Sequence, residues 1–431
     1  MKKRLSYAEE VRSRILGKSW LKDFVTPDYD EYCISNIPAT LTKIFHIPHL
    51  SGNPLADPEV KPVLEDVSRV VLLLVDALSY TQLLKAFGGG DSILQRFFDR
   101  SVLLPLTSTF PSTTPPGLTS LNTGLTPQQH AVIGYSLYLK QFGLVANMVN
   151  FSPSVDFRRD TLREIGLDPN EFLNAKTLYE FLGEEGYPSY VVTRWFYRNS
   201  TLTNIIHKGA KIETYVDTPD LFITLRRLLE SRPTEESYIF AYWDTLDTAS
   251  HVYGPASEEA EAEIRSLAYS LKTEFLDRLD KSAVKNTLLL ITSDHGGHTL
   301  VDGKTVIVPD HPELLRDLQI PPTGSSRSPY FYPKPGRFNS VRRYLTEKFG
   351  DGFLLLESEE ALKKGLFGVG EVADETRDRI GDLLALPREG HSIFYPYKPH
   401  REELILKGGH GGLSEDEMLV PFLALPLEKA I

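Results

Sequence analysis

The chain has a single cysteine, Cys33, among its 431 residues. An intramolecular disulfide is therefore excluded, and so is a metal site built from several thiolates. Positive charge is also short. Lys and Arg number 47 against 58 Asp and Glu, a formal net charge of −11. That balance argues against non-specific binding to a nucleic-acid polymer or an anionic membrane, although a local metal site can still attract anions. Long apolar runs are missing as well. The longest, Val70–Val75, is far shorter than the roughly 20 residues of a membrane span. The first twenty residues, MKKRLSYAEEVRSRILGKSW, carry charges throughout and lack the apolar stretch of a secretory signal. The expectation is a soluble, cytoplasmic protein with neither a membrane nor a nucleic-acid polymer as partner.

Hydrophobic residues make up 41% of the chain and charged residues 24%, enough for a sizeable core. The length suits two or three domains, or one large α/β sheet. No repeat or low-complexity tract is visible. Short continuous apolar runs stand at Val70–Val75, Tyr190–Val192, Tyr238–Tyr242, Thr287–Ile291 and Leu419–Leu425. Runs of this length without alternation suggest strands covered on both faces, as in a parallel sheet between helices. Between Ser257 and Lys281, Ile264, Leu267, Ala268, Leu271, Phe275 and Leu279 recur at spacings of three and four, the apolar face of a helix. Asn174–Gly186 reads as a second helix. The expected fold is α/β, a doubly wound, mostly parallel sheet flanked by helices. Residues 1–65 read as a peripheral extension and 66–431 as the catalytic domain. A Pro/Gly-richer insertion or cap is expected at about 299–402.

In such sheets chemistry gathers at the carboxyl ends of strands. Asp76 follows the first apolar run, where an Asp is also an ordinary turn or cap residue. Ser108–Gly117 reads STFPSTTPPG, which suggests Thr114 as a helix N-cap with Pro115 at the first helical position. Its hydroxyl is either a plain cap or a group beside an anion at a helix N-terminus. Asp247 and His251 are four residues apart, on one face of a helical turn. Asp294 and His295 follow a buried strand, where a charge is costly without a partner and a metal is a natural one. His410 lies between two glycine pairs in KGGHGG, on backbone able to approach a ligand closely. His298 reads first as a turn residue and second as a group supporting the metal ligands. Three His, three Asp and one hydroxyl without thiolates form a ligand set suited to two zinc-like or manganese ions.

The motifs VVLLLVDALS, TSTFPSTTPPGLTSLNTGLTPQQH, DTASHVYGP, LLLITSDHGG and KGGHGG, in this order, resemble the alkaline phosphatase superfamily, specifically its type I phosphodiesterase/nucleotide pyrophosphatase family. The resemblance covers roughly Val70 to Leu425. It implies that Asp247, His251 and His410 hold one metal, and that Asp76, Asp294, His295 and the Thr114 oxygen hold the other. It also implies that Thr114 is the nucleophile, that a phosphothreonine forms, and that the cofactors are two divalent ions, zinc first and manganese second. Related nucleotide pyrophosphatases usually place Lys, an aromatic residue and Asn where this chain has Thr113, Pro115 and Gly117. The nucleobase platform and one phosphate donor of those relatives are thus missing.

The expected partner is a small phosphate ester or nucleotide-like substrate. Gly117, Arg194, Trp195, Tyr197 and Arg327 are carried as candidate substrate contacts, with Tyr242 and Trp243 behind them. Arg194 pairs a phosphate-binding guanidinium with nearby aromatics. Asp244 reads as a spare carboxylate or a surface residue. Three other readings stand beside the phosphodiesterase. One is a phosphomonoesterase on the same site. Another is a phosphoglycerate-mutase-like enzyme, suggested by the closing HGGLS-x-x-E-M-x-V-P pattern. The last is a non-catalytic metal-binding protein, against which the hydroxyl at Thr114 argues.

Overall fold

Every one of the five apolar runs becomes a strand of one sheet. The computed structural model describes residues 2–47, 52–88, 100–398 and 406–430. Its main sheet contains β1 (Arg69–Val75), β2 (Val102–Thr107), β3 (Ser189–Arg194), β4 (Lys211–Tyr215), β5 (Ser237–Trp243), β6 (Thr287–Thr292) and β7 (Leu419–Pro426). The order is β2-β7-β6-β1-β5-β3-β4. β1 pairs in parallel with β5 and β6, and β3 in parallel with β4 and β5. Only β7 runs against its neighbours, β2 and β6. All seven residues of the central β1 are buried, as expected for a strand covered on both faces.

The helices that bear on the site are α1 (Lys2–Lys18), α2 (Thr114–Thr123), α3 (Leu178–Glu184), α4 (Thr245–Tyr253) and α5 (Glu258–Ser270). α1 packs against β2 and buries Ala8, Val11 and Ile15, which share one face at helical spacing. α3 is shorter than the expected Asn174–Gly186, because the Thr177–Glu180 capping box starts the helix four residues late. α5 begins at a Ser257 cap, and a π-helical turn at Leu271–Leu276 continues its apolar face.

A second, antiparallel sheet lies beside the first. Its order is Phe353–Glu357, Leu383–Pro387, Ser328–Pro333, Leu318–Ser325, Ser136–Leu139, Leu144–Asn147 and Ser152–Pro153. Four of these strands come from the segment expected as an insertion at 299–402. The other three come from 136–153. A small core of its own, including Val308, Leu314, Phe331, Leu345 and Leu383, packs within the 299–402 segment.

The strand register sets the floor of the site. Val75 lies opposite Trp243, and Leu74 opposite both Tyr242 and Thr292. The residues just beyond β1, β5 and β6 therefore emerge level with one another at the carboxyl edge of the parallel strands.

Candidate active site

Asp76 leaves β1 with its N–H bonded to the Trp243 carbonyl at 2.9 Å. The next residue, Ala77, sits in the left-handed region at φ 63°, which costs a non-glycine residue about 1–2 kcal/mol. A clip at the far side holds this bend, where the Leu78 N–H donates to Ser293 Oγ at 3.0 Å. Ser293 Oγ donates in turn to the His295 carbonyl at 2.6 Å, tying the ends of β1 and β6 together.

The helix start differs from expectation by one residue. Thr113, at φ −145° and ψ 155°, is the N-cap, and Thr114 is the first helical residue. Pro115 therefore occupies the second helical position and Pro116 the third. Neither carries an N–H, so among the first three helical residues only Thr114 offers an amide proton. The start of α2 is accordingly a weaker anion site than its dipole alone suggests. Gly117, carried as a substrate contact, abuts Asp294 instead. A Cβ there would stand 2.9 Å from the Asp294 Cβ, so glycine is what lets α2 reach the end of β6.

Two groups of ligand-type atoms come together. Asp76, Asp294 and His295 form one group, fully buried. Asp247, His251 and His410 form the other, partly exposed. Within each, the carboxylate and imidazole atoms lie within 4.8 Å of one another. In the first, His295 Nε2 is 3.3 Å from Asp76 Oδ1 and 3.6 Å from Asp294 Oδ2. In the second, Asp247 Oδ1 is 3.5 Å from His251 Nε2 and 3.7 Å from His410 Nε2. The His295 and His410 rings stack at a centroid distance of 3.9 Å and join the groups. Thr114 Oγ1 lies 3.1 Å from His295 Nε2.

The imidazoles share one orientation. His251 Nδ1 is 2.9 Å from the Gly408 carbonyl, His295 Nδ1 2.8 Å from that of Gly296, and His410 Nδ1 3.3 Å from that of Ser112. A carbonyl only accepts, so each Nδ1 carries a proton, and in the neutral form each ring turns an Nε2 lone pair inward. His251 Nε2 and His410 Nε2 face each other at 3.1 Å with no proton between them in that state. Asp76 Oδ1 and Asp294 Oδ2 are likewise buried with no hydrogen-bond partner. Buried acceptors facing acceptors call for a cation. Burial, then the Asp294 and Asp247 charges, push the Asp76 carboxyl well above the usual carboxylate range, although Tyr242 Oη donates to Asp76 Oδ2 at 2.5 Å. Burial also raises Asp294, with His295 opposing it. Burial and the neighbouring His295 and His251 push His410 well below the usual imidazole range. The oxygen and nitrogen donors of both groups, without thiolates, fit a divalent ion of the zinc or manganese kind.

The remaining candidates divide. Arg194 is not a free phosphate cation. Its Nε donates to Asp244 Oδ1 and its Nη2 to Thr245 Oγ1, each at 2.5 Å. Asp244, buried rather than on the surface, also accepts from Tyr197 Oη at 2.9 Å. The Tyr197 ring approaches that of Tyr242, at 6.2 Å between centroids, which places it one side chain away from Asp76. Trp195 is 60% exposed beside them. Trp243 is buried in the core, with its Nε1 donating to Thr218 Oγ1. Arg327 is fully buried and takes Glu417 in a two-pronged ion pair, through Nε at 2.6 Å and Nη2 at 2.8 Å. Its donors are taken up inside the protein, by Glu417 and the His391 carbonyl, rather than offered to a substrate. His298, expected in a turn, forms a short bridge with Gly409 and accepts from the Gly390 N–H at 3.0 Å. Glu417 enters the sequence reading only as the Glu of the closing HGGLS-x-x-E-M-x-V-P pattern, with no role of its own. Its position inside an acidic turn, EDEM, carries the signal of a surface residue.

The sequence model of the type I phosphodiesterase / nucleotide pyrophosphatase family matches residues 70–413. No curated protein matches the chain. Among solved structures, the human ectonucleotide pyrophosphatase / phosphodiesterase 5 is similar with a TM-score of 0.62 and 19% identity, over 83% of this chain and 87% of that one. The murine protein of the same name, as an inactive threonine-to-alanine variant in complex with AMP, gives 0.61 and 18%, with the same coverage. Phosphonoacetate hydrolase from Sinorhizobium meliloti 1021, in complex with phosphonoformate, gives 0.61 and 20%, over 83% of this chain and 89% of that one. At these identities the structural likenesses establish a common fold. The family match spans most of the sequence, from β1 to the His410 loop, and the chain belongs to the type I phosphodiesterase / nucleotide pyrophosphatase family of phosphoester hydrolases.

Proposed function

We propose that the protein is a metal-dependent hydrolase of small phosphodiesters or pyrophosphates, with Thr114 as its nucleophile. The observation that carries this reading is the meeting of two carboxylate–histidine groups beside a hydroxyl at the start of a helix. Asp76, Asp294 and His295 would hold one divalent ion and Asp247, His251 and His410 the other. Zinc suits these ligands best, with manganese as the alternative. When bound, such ions supply positive charge that activates a hydroxyl and neutralises phosphate oxygens.

The chain itself supplies the covalent chemistry and the positioning. Thr114 Oγ1 forms a bond to phosphorus as the bond from phosphorus to the leaving oxygen breaks. Water then attacks the phosphothreonine and frees Thr114 for the next turnover. Two in-line displacements give net retention at phosphorus. The Nδ1–carbonyl bonds hold each imidazole in the tautomer and direction that a ligand needs. Gly117 brings the Thr114 helix against Asp294.

Diesters are favoured over monoesters because the two candidate cations are already committed, Arg194 to Asp244 and Arg327 to Glu417. Neither is free to meet the second charge of a monoester. The AMP complex of the murine structure and the phosphonoformate complex of the bacterial one support a small phosphorus-containing substrate. The test is a panel of aryl phosphodiesters, aryl phosphomonoesters and nucleotides, assayed with added zinc or manganese. A higher kcat/KM on diesters is expected. A monoester preference of tenfold or more, about 1.4 kcal/mol, overturns that assignment.

A further inference from the structure

We propose that Arg327 and Glu417 are positioning residues for the ion held by Asp247, His251 and His410, acting by fixing the loop that carries His410. The inference rests on the two-ion reading above.

His410 sits in a loop with little regular structure of its own, tied at single points such as Ser112 Oγ donating to the Gly412 carbonyl at 2.7 Å and the Val25 N–H donating to the Leu413 carbonyl at 2.8 Å. Two glycines precede it and two follow, and its regular structure is limited to a two-residue bridge between Gly408–Gly409 and His298–Thr299. Glycine-rich backbone loses much conformational freedom on being ordered, so something must fix it. Glu417 supplies that on one side. Its carboxylate accepts the Gly412 N–H at 2.8 Å, the Ser414 N–H at 3.2 Å and the Ser414 hydroxyl at 2.6 Å. Arg327 works on the other. Its Cδ lies against Gly409, where an added Cβ would stand 3.4 Å away, while Nε and Nη2 grip Glu417. The guanidinium is anchored from behind by Nη1 donating to the His391 carbonyl at 2.7 Å.

Arg327 and Glu417 thus bracket His410, holding Gly409 and Gly412. Arg327 belongs to the turn between Leu318–Ser325 and Ser328–Pro333, so the clamp joins the second sheet to the metal edge of the first. The same turn sets a limit on the loop at Gly411, which has φ 113° and would collide with Ser325 Oγ if it carried a Cβ. Neither charged side chain reaches the ligand atoms themselves. Burial pushes the Glu417 carboxyl up, but the Arg327 charge prevails and holds it at about 2, so Glu417 is a carboxylate at neutral pH. A buried pair of this kind gives little net stability over an apolar pair of similar shape. Its geometry is what it contributes, two parallel bonds that allow one relative placement of the hairpin and the loop.

The experiment is calorimetric titration of the metal-free full chain with zinc, on the wild type, Glu417→Gln and Arg327→Lys. Glu417→Gln keeps the side chain's shape, and Arg327→Lys keeps the charge but not the fork. Denaturant midpoints of the metal-free proteins are measured alongside. In both variants one of the two zinc affinities should weaken about ten- to hundredfold while the other stays within about threefold. In a His410→Ala background, Glu417→Gln should leave the remaining site unchanged. Lower denaturation midpoints with both affinities unchanged, in either variant that folds, overturn the proposal and leave the pair a purely structural one. A wild-type chain that binds fewer than two zinc ions overturns the two-ion reading itself, a result separate from any difference between variants.

Discussion

Asp76, Asp294 and His295 hang from the ends of two neighbouring strands, whereas Asp247, His251 and His410 come from one helical turn and a glycine loop. The first group inherits its geometry from the sheet. β1 and β6 are paired residue by residue up to Leu74 and Thr292, and Ser293 clips the two ends together. It is also fully buried, so its carboxylates are desolvated and their proton affinities rise. The second group has no such scaffold. His251 reaches it from α4, and the His410 loop is held by bonds from elsewhere, through Gly408 to His251 and through Gly412 to Glu417. A rigid, electrostatically strained half thus faces a half whose geometry depends on distant contacts.

The proposed nucleophile belongs to the rigid half, because Thr114 Oγ1 lies against His295. Thr114→Ala should lower turnover by at least about a thousandfold while both ions still bind, and Thr114→Ser should keep part of the activity. Thr113→Ala is the control, since the Thr113 hydroxyl is buried without a partner. Steady-state kinetics with metal analysis checks this. An active Thr114→Ala beside an inactive Thr113→Ala would move the chemistry one residue and break the comparison.

The dependent half should be the one damaged from afar. Replacing Arg327 by Met strands a buried carboxylate and should cost about 3–5 kcal/mol in urea denaturation of the metal-free chain. The folded-state pKa of Glu417, about 2, lies below its ordinary 4.5. The stabilisation it brings is therefore present above about pH 4.5 and is lost as the pH falls towards 2. In Glu417→Gln that part of the acid-induced loss should disappear.

Metal removal should affect both halves at different rates. Each ion, at a hundred times its Kd, contributes about 2.7 kcal/mol to the folded state. Complete chelation should lower Tm, and an unchanged Tm would count against two preformed sites. Followed in time with a chelator, the ion of the partly exposed Asp247 group should leave first, because water reaches it more easily.

The smallest effect distinguishes the halves most sharply by its sign. The Asp76 carboxyl is raised in the metal-free fold, so its ionisation works against folding. A raised folded pKa gives stability at low pH that is lost as pH rises through that value. Asp76→Asn should therefore stabilise the metal-free chain at neutral pH while weakening metal binding, and the gain should vanish in mild acid. Thermal unfolding of the chelated proteins between pH 4 and pH 8 decides it, and a destabilised Asp76→Asn would contradict the desolvation account.

Much of this was legible in the sequence because buried strands and strand-end acids leave local marks. β1, β3, β5, β6 and β7 are apolar runs, Asp76 stands at the end of the first of them, and Asp294 and His295 follow a buried strand where packing does not explain them. β2 and β4 left no such mark. β2 carries Pro105, set opposite Pro421, and edge strand β4 alternates Lys211 and Glu213 with Ile212 and Thr214. The helix register at Thr113 and Thr114 was ambiguous because either threonine can cap. The pairing of Arg327 with Glu417 was opaque for a different reason. Each is a charged residue in a polar turn, and only its partner ninety positions away makes burial possible. Local pattern marks what the sheet builds, and it is silent about what long-range pairing builds.

The central claim, two ions held by two differently built groups, is tested most directly by anomalous diffraction at the zinc edge from crystals of the zinc-loaded protein. Two peaks per chain are expected, one against Asp76, Asp294 and His295 and one against Asp247, His251 and His410. A single peak, or peaks away from these six side chains, would contradict the account.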